Sequence, residues 1–149
     1  MNRYPMAPPW GRMAEVVIVR ECQHGQVRVL FGNLPLVEGD VMVVPANNRL
    51  AGREGLDEMM QQAAGPELRE FCVGIARERR KFNLQPCSVG EAVTTPAFNL
   101  SAKHLVHVVG PDCRRPTQDN LRRELLKKSY EALFEAVEKL NPRETLVTP

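Results

Sequence analysis

The stretch Val43–Asp57, VVPANNRLAGREGLD, carries the residue types best suited to chemistry. The apolar run Asp40–Ala46 is closed by Pro45, and Asn47 and Asn48 follow it. Gly52 and Gly55 come next, then Leu56 and Asp57 at the start of a helical pattern. The order is strand, loop, helix N-terminus. In open α/β sheets ligands sit at the carboxyl ends of strands, and a helix N-terminus offers an anion free N–H groups and a positive dipole end. Gly52 and Gly55 suit a backbone that approaches a phosphate closely, and equally a plain flexible connection. Taken alone, Asn47 is a turn residue and Asp57 a favourable negative charge where a helix begins.

Thiols and imidazoles offer less. Cys22, Cys72, Cys87 and Cys113 include no pair at metal or redox spacing; the closest two, Cys72 and Cys87, are fifteen positions apart. Free thiols, buried or half-buried, are the expectation. A zinc site drawn from Cys87, Cys113, His104 and His107 has no spacing signature, and no metal or cofactor is expected. His107 falls inside the apolar run Leu105–Val109, which predicts a buried structural histidine with His104 on the opposite strand face.

The elements that must position these residues belong to a chain of ordinary composition. Of its 149 residues 43% are hydrophobic and 26% charged, enough apolar mass for one domain with a real core. Aromatics are 5%, so that core is aliphatic. A net charge of +2 excludes polyanion binding by bulk electrostatics, and with this hydrophobicity it argues against intrinsic disorder. No apolar run approaches a membrane span. The first residues have no secretory apolar core, so an intracellular setting, cytoplasmic or nuclear, is expected.

Residues 1–13, with Pro5, Pro8 and Pro9, read as a flexible leader, and 14–149 as the domain. Ala14–Arg20 and Gln26–Phe31 alternate around a polar turn and predict a β-hairpin. Asp40–Ala46 predicts a buried central strand. Leu56, Met59, Met60, Ala63 and Ala64 repeat at helical spacing up to Gly65 and Pro66, which end one helix and open another. Leu68, Phe71, Cys72 and Ile75 give that second helix its apolar stripe, and Arg77–Lys81 its solvated face. Glu91–Pro96 and Leu105–Val109 predict strands. Asp119–Leu140 predicts the longest helix, with Leu121, Leu125, Tyr130, Leu133, Phe134, Val137 and Leu140 on one stripe. Thr145–Thr148 reads as the start of a further strand. Solid apolar strands alternating with helices predict a three-layer α/β fold.

Three blocks of the chain resemble the macrodomain family of ADP-ribose-binding modules. The first runs from Gly32-Asn33-Leu34 through Val44-Pro45-Ala46-Asn47, Gly52-Arg53-Glu54-Gly55 and Leu56-Asp57 to Ala63-Ala64-Gly65. The second comprises Cys87–Ala92 with Thr94, then Asn99–Lys103, and the third is His107–Pro111. The resemblance implies a three-layer α/β/α fold with a mixed central sheet. It also implies roles residue by residue. Asn33 stands at the family's adenine-contacting aspartate, where an amide carbonyl still accepts a hydrogen bond without the assistance of charge. Asn47 stands at the asparagine that holds the distal ribose. Asp57, ten positions on, stands at the aspartate that hydrolytic members use to position or activate water, so Asn47 and Asp57 are the candidate catalytic pair. Leu34, Ala46, Gly52, Arg53, Gly55 and Leu56 complete the implied ligand-binding set.

The departures from the family pattern are equally specific. Arg53 and Glu54 fill the centre of a loop that is nearly all glycine in the family; Arg53 suits a diphosphate and Glu54 repels one. Val44 and Pro45 replace the family's Asn-Ala. Thr145–Pro149 resembles the strand before the family's second phosphate loop, so that loop, the last strand and the last helix are expected to be lacking, in a fragment or in a degenerate domain.

Three functions compete. A binding module for ADP-ribose or ADP-ribosylated protein needs only a cleft at the strand ends. An ADP-ribosyl hydrolase, cleaving an ester to an acidic side chain or a related ester, needs Asn47 and Asp57 beside the distal ribose with water held against it. A pocketless interaction or nucleic-acid module would instead present Arg77, Arg79, Arg80, Lys81, Arg114, Arg115, Arg122 and Arg123 as a basic face. Binding ranks first: Arg53, Glu54, Asn33 and the lacking second loop weigh against hydrolysis.

Overall fold

The computed structural model describes residues 14–114 and 118–148. The segment 1–13, expected as a leader, lies outside the described residues, as does Arg115. The chain divides into two compact units, Met1–Glu38 and Gly39–Pro149.

The first unit is the expected hairpin. Strand β1 (Ala14–Cys22) pairs antiparallel with β2 (Gly25–Gly32), from Ala14 opposite Gly32 to Cys22 opposite Gly25. A register shift between Val16 and Ile18 places a bulge at Val17. Asn33 then begins a single 3-10 turn, Leu34–Leu36, with the Leu36 amide donating to the Asn33 carbonyl at 2.9 Å.

The second unit is a mixed four-stranded sheet with helices on both faces. Strand β3 (Val41–Pro45) leads to helices α1 (Gly55–Ala64) and α2 (Pro66–Arg80). Strands β4 (Ala92–Pro96) and β5 (His104–Val108), helix α3 (Asp119–Leu140) and strand β6 (Thr145–Val147) follow. The spatial order is β4-β5-β3-β6. β3 runs parallel to both β5 and β6, while β4 is antiparallel to β5. The register places Val43 between Val106 and Val147.

Strand alternation sorts the core into two layers. Val41, Val43, Val106 and Val108 pack with Leu133, Ala136 and Val137 of α3. Met42, Val44, Leu105 and His107 are directed to the other face, where α1 packs on β3 and α2 on β4. There Met60, Ala64, Leu68 and Cys72 are buried. Four buried residues in succession on β3 are the signature of a central strand covered on both sides.

Asp40 fastens the entry to β3. Its Oδ2 accepts the amides of Arg143 at 2.8 Å and Glu144 at 3.2 Å, tying β3 to the segment leading into β6. Gly65, at φ +94°, lets α1 stop and α2 begin at Pro66 as the sequence predicts.

Two apolar stripes differ from expectation. On α3, Leu121, Tyr130 and Phe134 are exposed. The line facing the sheet runs through Leu125, Ser129, Leu133, Ala136, Val137 and Leu140, so it keeps four of the expected residues and takes in Ser129 and Ala136. Ser129 takes part because its hydroxyl donates to the Leu125 and Val109 carbonyls, which satisfies it while buried. On α2, Phe71 stays 43% exposed and packs edge-on against Phe98. Among the described residues, no helix is long and apolar enough to cross a membrane.

Candidate functional site

A cleft of about 810 Å³ opens at the carboxyl ends of β3 and β5. Parallel pairing brings both strand ends to one edge of the sheet, and the loops that leave them form the two walls. From the β3–α1 loop come Ala46, Asn47, Asn48, Arg49, Arg53 and Glu54, continuing into Leu56 and Asp57 of α1. From the β5–α3 connection come Val109–Asp112 and Arg114, with Arg122 and Leu125 of α3 beyond them and Val89 beside.

The first wall is shaped by Asn47. Its Oδ1 accepts the amides of Arg49 at 3.0 Å and Ala51 at 3.2 Å, and its carbonyl accepts the Leu50 amide at 3.0 Å. This is the local turn chemistry expected of asparagine. The turn places Leu50 at φ +54° with its side chain buried in the core, so apolar burial holds a backbone conformation that leucine rarely adopts. Gly52 follows at φ +56° and lies directly on Gln61 of α1. Gln61 in turn donates Nε2 to the Leu50 carbonyl at 3.3 Å, which fixes loop to helix.

Asp57 sits behind this turn at 8% exposure. Neither carboxylate oxygen has a hydrogen-bond partner among the described residues. Burial pushes its pKa above the ordinary carboxylate value. The Asn47 and Gly52 amides lie near enough to oppose that shift, without closing a hydrogen bond. Its charge also reaches Cys72, whose thiol is pushed up to about 11, chiefly by burial. A buried carboxylate in the first turn of α1, with its pKa raised, is a group able to accept a proton or hold a water.

Arg53 and Glu54 are exposed, line the cleft and leave its volume open. Glu54 is the residue before α1, in extended conformation. Across the opening, Arg114 donates Nε to Asp112 Oδ1 at 3.0 Å. Its guanidinium is held charged by Asp112 and, secondarily, by Glu54. The mouth is thus edged by alternating charge rather than by bare backbone.

Of the residues singled out in the sequence, Ala46, Asn47, Arg53, Leu56 and Asp57 line the cleft together. Gly52 and Gly55 shape the loop between them. Asn33 and Leu34 belong to the first unit, at the 3-10 turn. The second wall, Val109–Asp112 with Leu125, carries no residue that the sequence singles out as a site. The parallel pairing of β5 with β3 carries that information, and it joins residues some sixty positions apart.

His107 is fully buried, with Nε2 3.0 Å from the Thr95 hydroxyl, and its pKa is pushed down to about 4 by burial. It is a core residue, as its place in an apolar strand implies. Among the described residues, no three His, Cys, Asp or Glu side chains are gathered as for a metal ion. Of the basic face, four described residues are in ion pairs: Arg79 with Glu91, Lys81 with Glu78, Arg114 with Asp112 and Arg122 with Asp119.

A family model described as Macro domain matches residues 43–149. The O-acetyl-ADP-ribose deacetylase of Cronobacter sakazakii is 38% identical over 106 residues, covering 71% of this chain and 55% of that protein. The protein of the same name from Escherichia fergusonii is 40% identical over 86 residues, covering 58% and 46%. The chain therefore spans about half the length of the curated relatives it matches. Among solved structures, the Oceanobacillus iheyensis macrodomain with ADP superimposes with a TM-score of 0.78 at 25% identity, covering 87% of this chain and 66% of that one. A Trypanosoma brucei macrodomain gives a TM-score of 0.58 at 29% identity, covering 78% and 42%.

Proposed function

This chain belongs to the macrodomain family, and from that premise we propose that its cleft binds ADP-ribose, free or attached to protein. The carrying observation is the open volume of about 810 Å³ where two parallel strands end, with Asn47, Leu56 and Asp57 on its wall. That volume suits a nucleotide-sized ligand. In this reading the α1 N-terminus and the Gly52–Leu56 backbone face the diphosphate, assisted by Arg53, and Asn47 holds the distal ribose. The relatives' names and a neighbour solved with ADP support the ligand class. Four free cysteines suit the intracellular setting that belongs to the same reading.

One observation favours a second, compatible activity: Asp57 is a buried carboxylate with no hydrogen-bond partner among the described residues. We infer that it accepts a proton from water as that water attacks an ester carried on the distal ribose. The water oxygen bonds to the acyl carbon, the acyl C–O bond to the ribose breaks, and Asp57 returns the proton to the departing ribose oxygen, so a carboxylic acid and a ribose hydroxyl leave with the carboxylate restored.

Calorimetric titration with free ADP-ribose tests the first reading. Saturable heat is expected, and none up to millimolar ligand overturns it. Turnover of an ADP-ribose ester by wild type and by Asp57→Ala tests the second: turnover falls about a hundredfold or more while binding persists. Equal turnover by both removes Asp57 from the chemistry.

A further inference from the structure

Asn48 and Arg49 line two cavities. One is the cleft just described; the other, of about 500 Å³, opens beside it against the last turns of α2. Its remaining walls are Ala76 and Arg80 of α2 and the segment Leu84–Pro86. This wall is firmly built. Asn48 Nδ2 donates to Gln85 Oε1 at 3.3 Å, and the Cys87 amide donates to the Asn48 carbonyl at 3.1 Å. Arg79 donates Nε to the Gln85 carbonyl at 2.5 Å and Nη2 to Glu91 at 2.8 Å.

The chemistry of the groove is one-sided. Ala76, Leu84 and Pro86 give it apolar surface, and Arg49 and Arg80 give it two exposed guanidinium groups. No carboxylate lines it. Among the described residues, neither arginine is in an ion pair, whereas Arg79 beside them is. An apolar floor edged by two unmatched cations fits carboxylates on short aliphatic stems. The shared residues Asn48 and Arg49 make the groove continuous with the Asn47 side of the cleft.

We propose that this groove docks an acidic stretch of the polypeptide that carries ADP-ribose, with Arg49 and Arg80 meeting its carboxylates. The proposal rests on ADP-ribose recognition by the cleft and adds a substrate class: proteins modified within Asp- or Glu-rich sequence. Solvated pairs are individually weak, so the two arginines together supply selectivity of about fivefold to tenfold.

The test follows backbone amide resonances of the whole chain during titration with a Glu-rich hexapeptide and its Gln counterpart. The Glu peptide is expected to shift Ala76, Arg80 and Leu84 saturably, at least fivefold more tightly than the Gln peptide. Arg80→Glu and, independently, Leu84→Asp weaken it about fivefold or more. Leu84→Asp adds a repelling charge at an exposed position without removing either guanidinium. An equal response to both peptides, no shift at those amides, or full binding by both variants overturns the proposal. In a separate arm, free ADP-ribose shifts Asn47, Gly52 and Asp57. Failure of that arm alone overturns the cleft reading and is read independently of the peptide arm. Where both arms succeed, the Glu peptide bearing ADP-ribose binds more tightly than free ADP-ribose in wild type, and the gain disappears in Arg80→Glu.

Discussion

Gly52 lies so close to Gln61 that a Cβ on it would stand 2.4 Å from Gln61 Cγ and 2.9 Å from Gln61 Cβ. The glycine is therefore required twice, once by its φ of +56° and once by this contact. Gln61 cannot swing aside freely, because it is buried and its Nε2 holds the Leu50 carbonyl. Gly52→Ala is expected to destabilise the fold by about 2 kcal/mol and to weaken ADP-ribose binding, since the loop must lift from α1. Urea unfolding and calorimetry measure the two effects. Gly55, also at positive φ but with open space around it, makes the control: Gly55→Ala strains the backbone without the steric contact and loses less.

Asp57 sacrifices stability for its position. A buried carboxylate whose folded pKa is raised binds protons more readily in the native state than in the unfolded chain. Its unfavourable contribution is absent below the ordinary value of 3.8. It appears as pH rises through the raised value and is complete at neutral pH. Asp57→Asn is accordingly expected to be more stable than wild type at pH 7, by on the order of 1 kcal/mol, with the advantage vanishing near pH 3. Thermal unfolding at both pH values checks this. Esterase turnover in the same variant is expected to fall, which would place the cost of burial on the side of function.

What the sequence made legible followed from local chemistry. Pro45, Gly65 and Pro66 end or begin elements where the structure ends or begins them, because each acts through its own backbone. Asn47 and Asp57 were placed by resemblance and share one wall of the cleft. The opposite wall was not visible, since Val109–Asp112 reaches the cleft only through the pairing of β5 with β3. The α3 stripe holds at Leu125, Leu133, Val137 and Leu140 and departs at Leu121, Tyr130 and Phe134 for a different reason. Ranking by hydrophobicity prefers Tyr130 and Phe134 to Ser129, yet a serine whose hydroxyl is satisfied by the Leu125 carbonyl of its own helix and the Val109 carbonyl just after β5 packs against the sheet without penalty.

The Arg79–Glu91 pair ties the last turn of α2 to the residue that leads into β4. Glu91 Oε2 also accepts the Ser88 amide at 2.9 Å, so one carboxylate joins the end of α2 to the loop before β4. Both side chains are partly solvated, 28% and 39% exposed, which limits the pair to about 1 kcal/mol. Arg79→Ala also leaves the Gln85 carbonyl unpaired and frees Gln85 from its hold beside Asn48. Expected is a loss of about 1–2 kcal/mol and faster amide exchange at Ser88 and Cys87, with the amides of β5 unaffected. Unchanged exchange at Ser88 would show that Glu91 alone suffices.

Acid should weaken this fold over two separable pH windows. His107 is neutral in the native core, with a pKa near 4 against 6.5 in the unfolded chain. Its contribution is fully present above pH 6.5 and is lost as pH falls from there through about 4, amounting to roughly 3 kcal/mol. Asp40 acts later. Hydrogen bonds from the Arg143 and Glu144 amides lower its pKa, so what it contributes is present above 3.8 and is lost only below that. Asp57 works in the opposite sense above 3.8, which makes the difference between variants the informative quantity. His107→Gln keeps an acceptor for the Thr95 hydroxyl and removes the titration. It is expected to be less stable than wild type at pH 7.5, through imperfect packing, and to lose far less stability between pH 6.5 and 4.5. Asp40→Asn is expected to change the slope only below pH 4. Urea midpoints at pH 7.5, 5.5, 4.5 and 3.5 resolve both windows, and a wild-type slope retained in His107→Gln would move the acid sensitivity away from the core histidine.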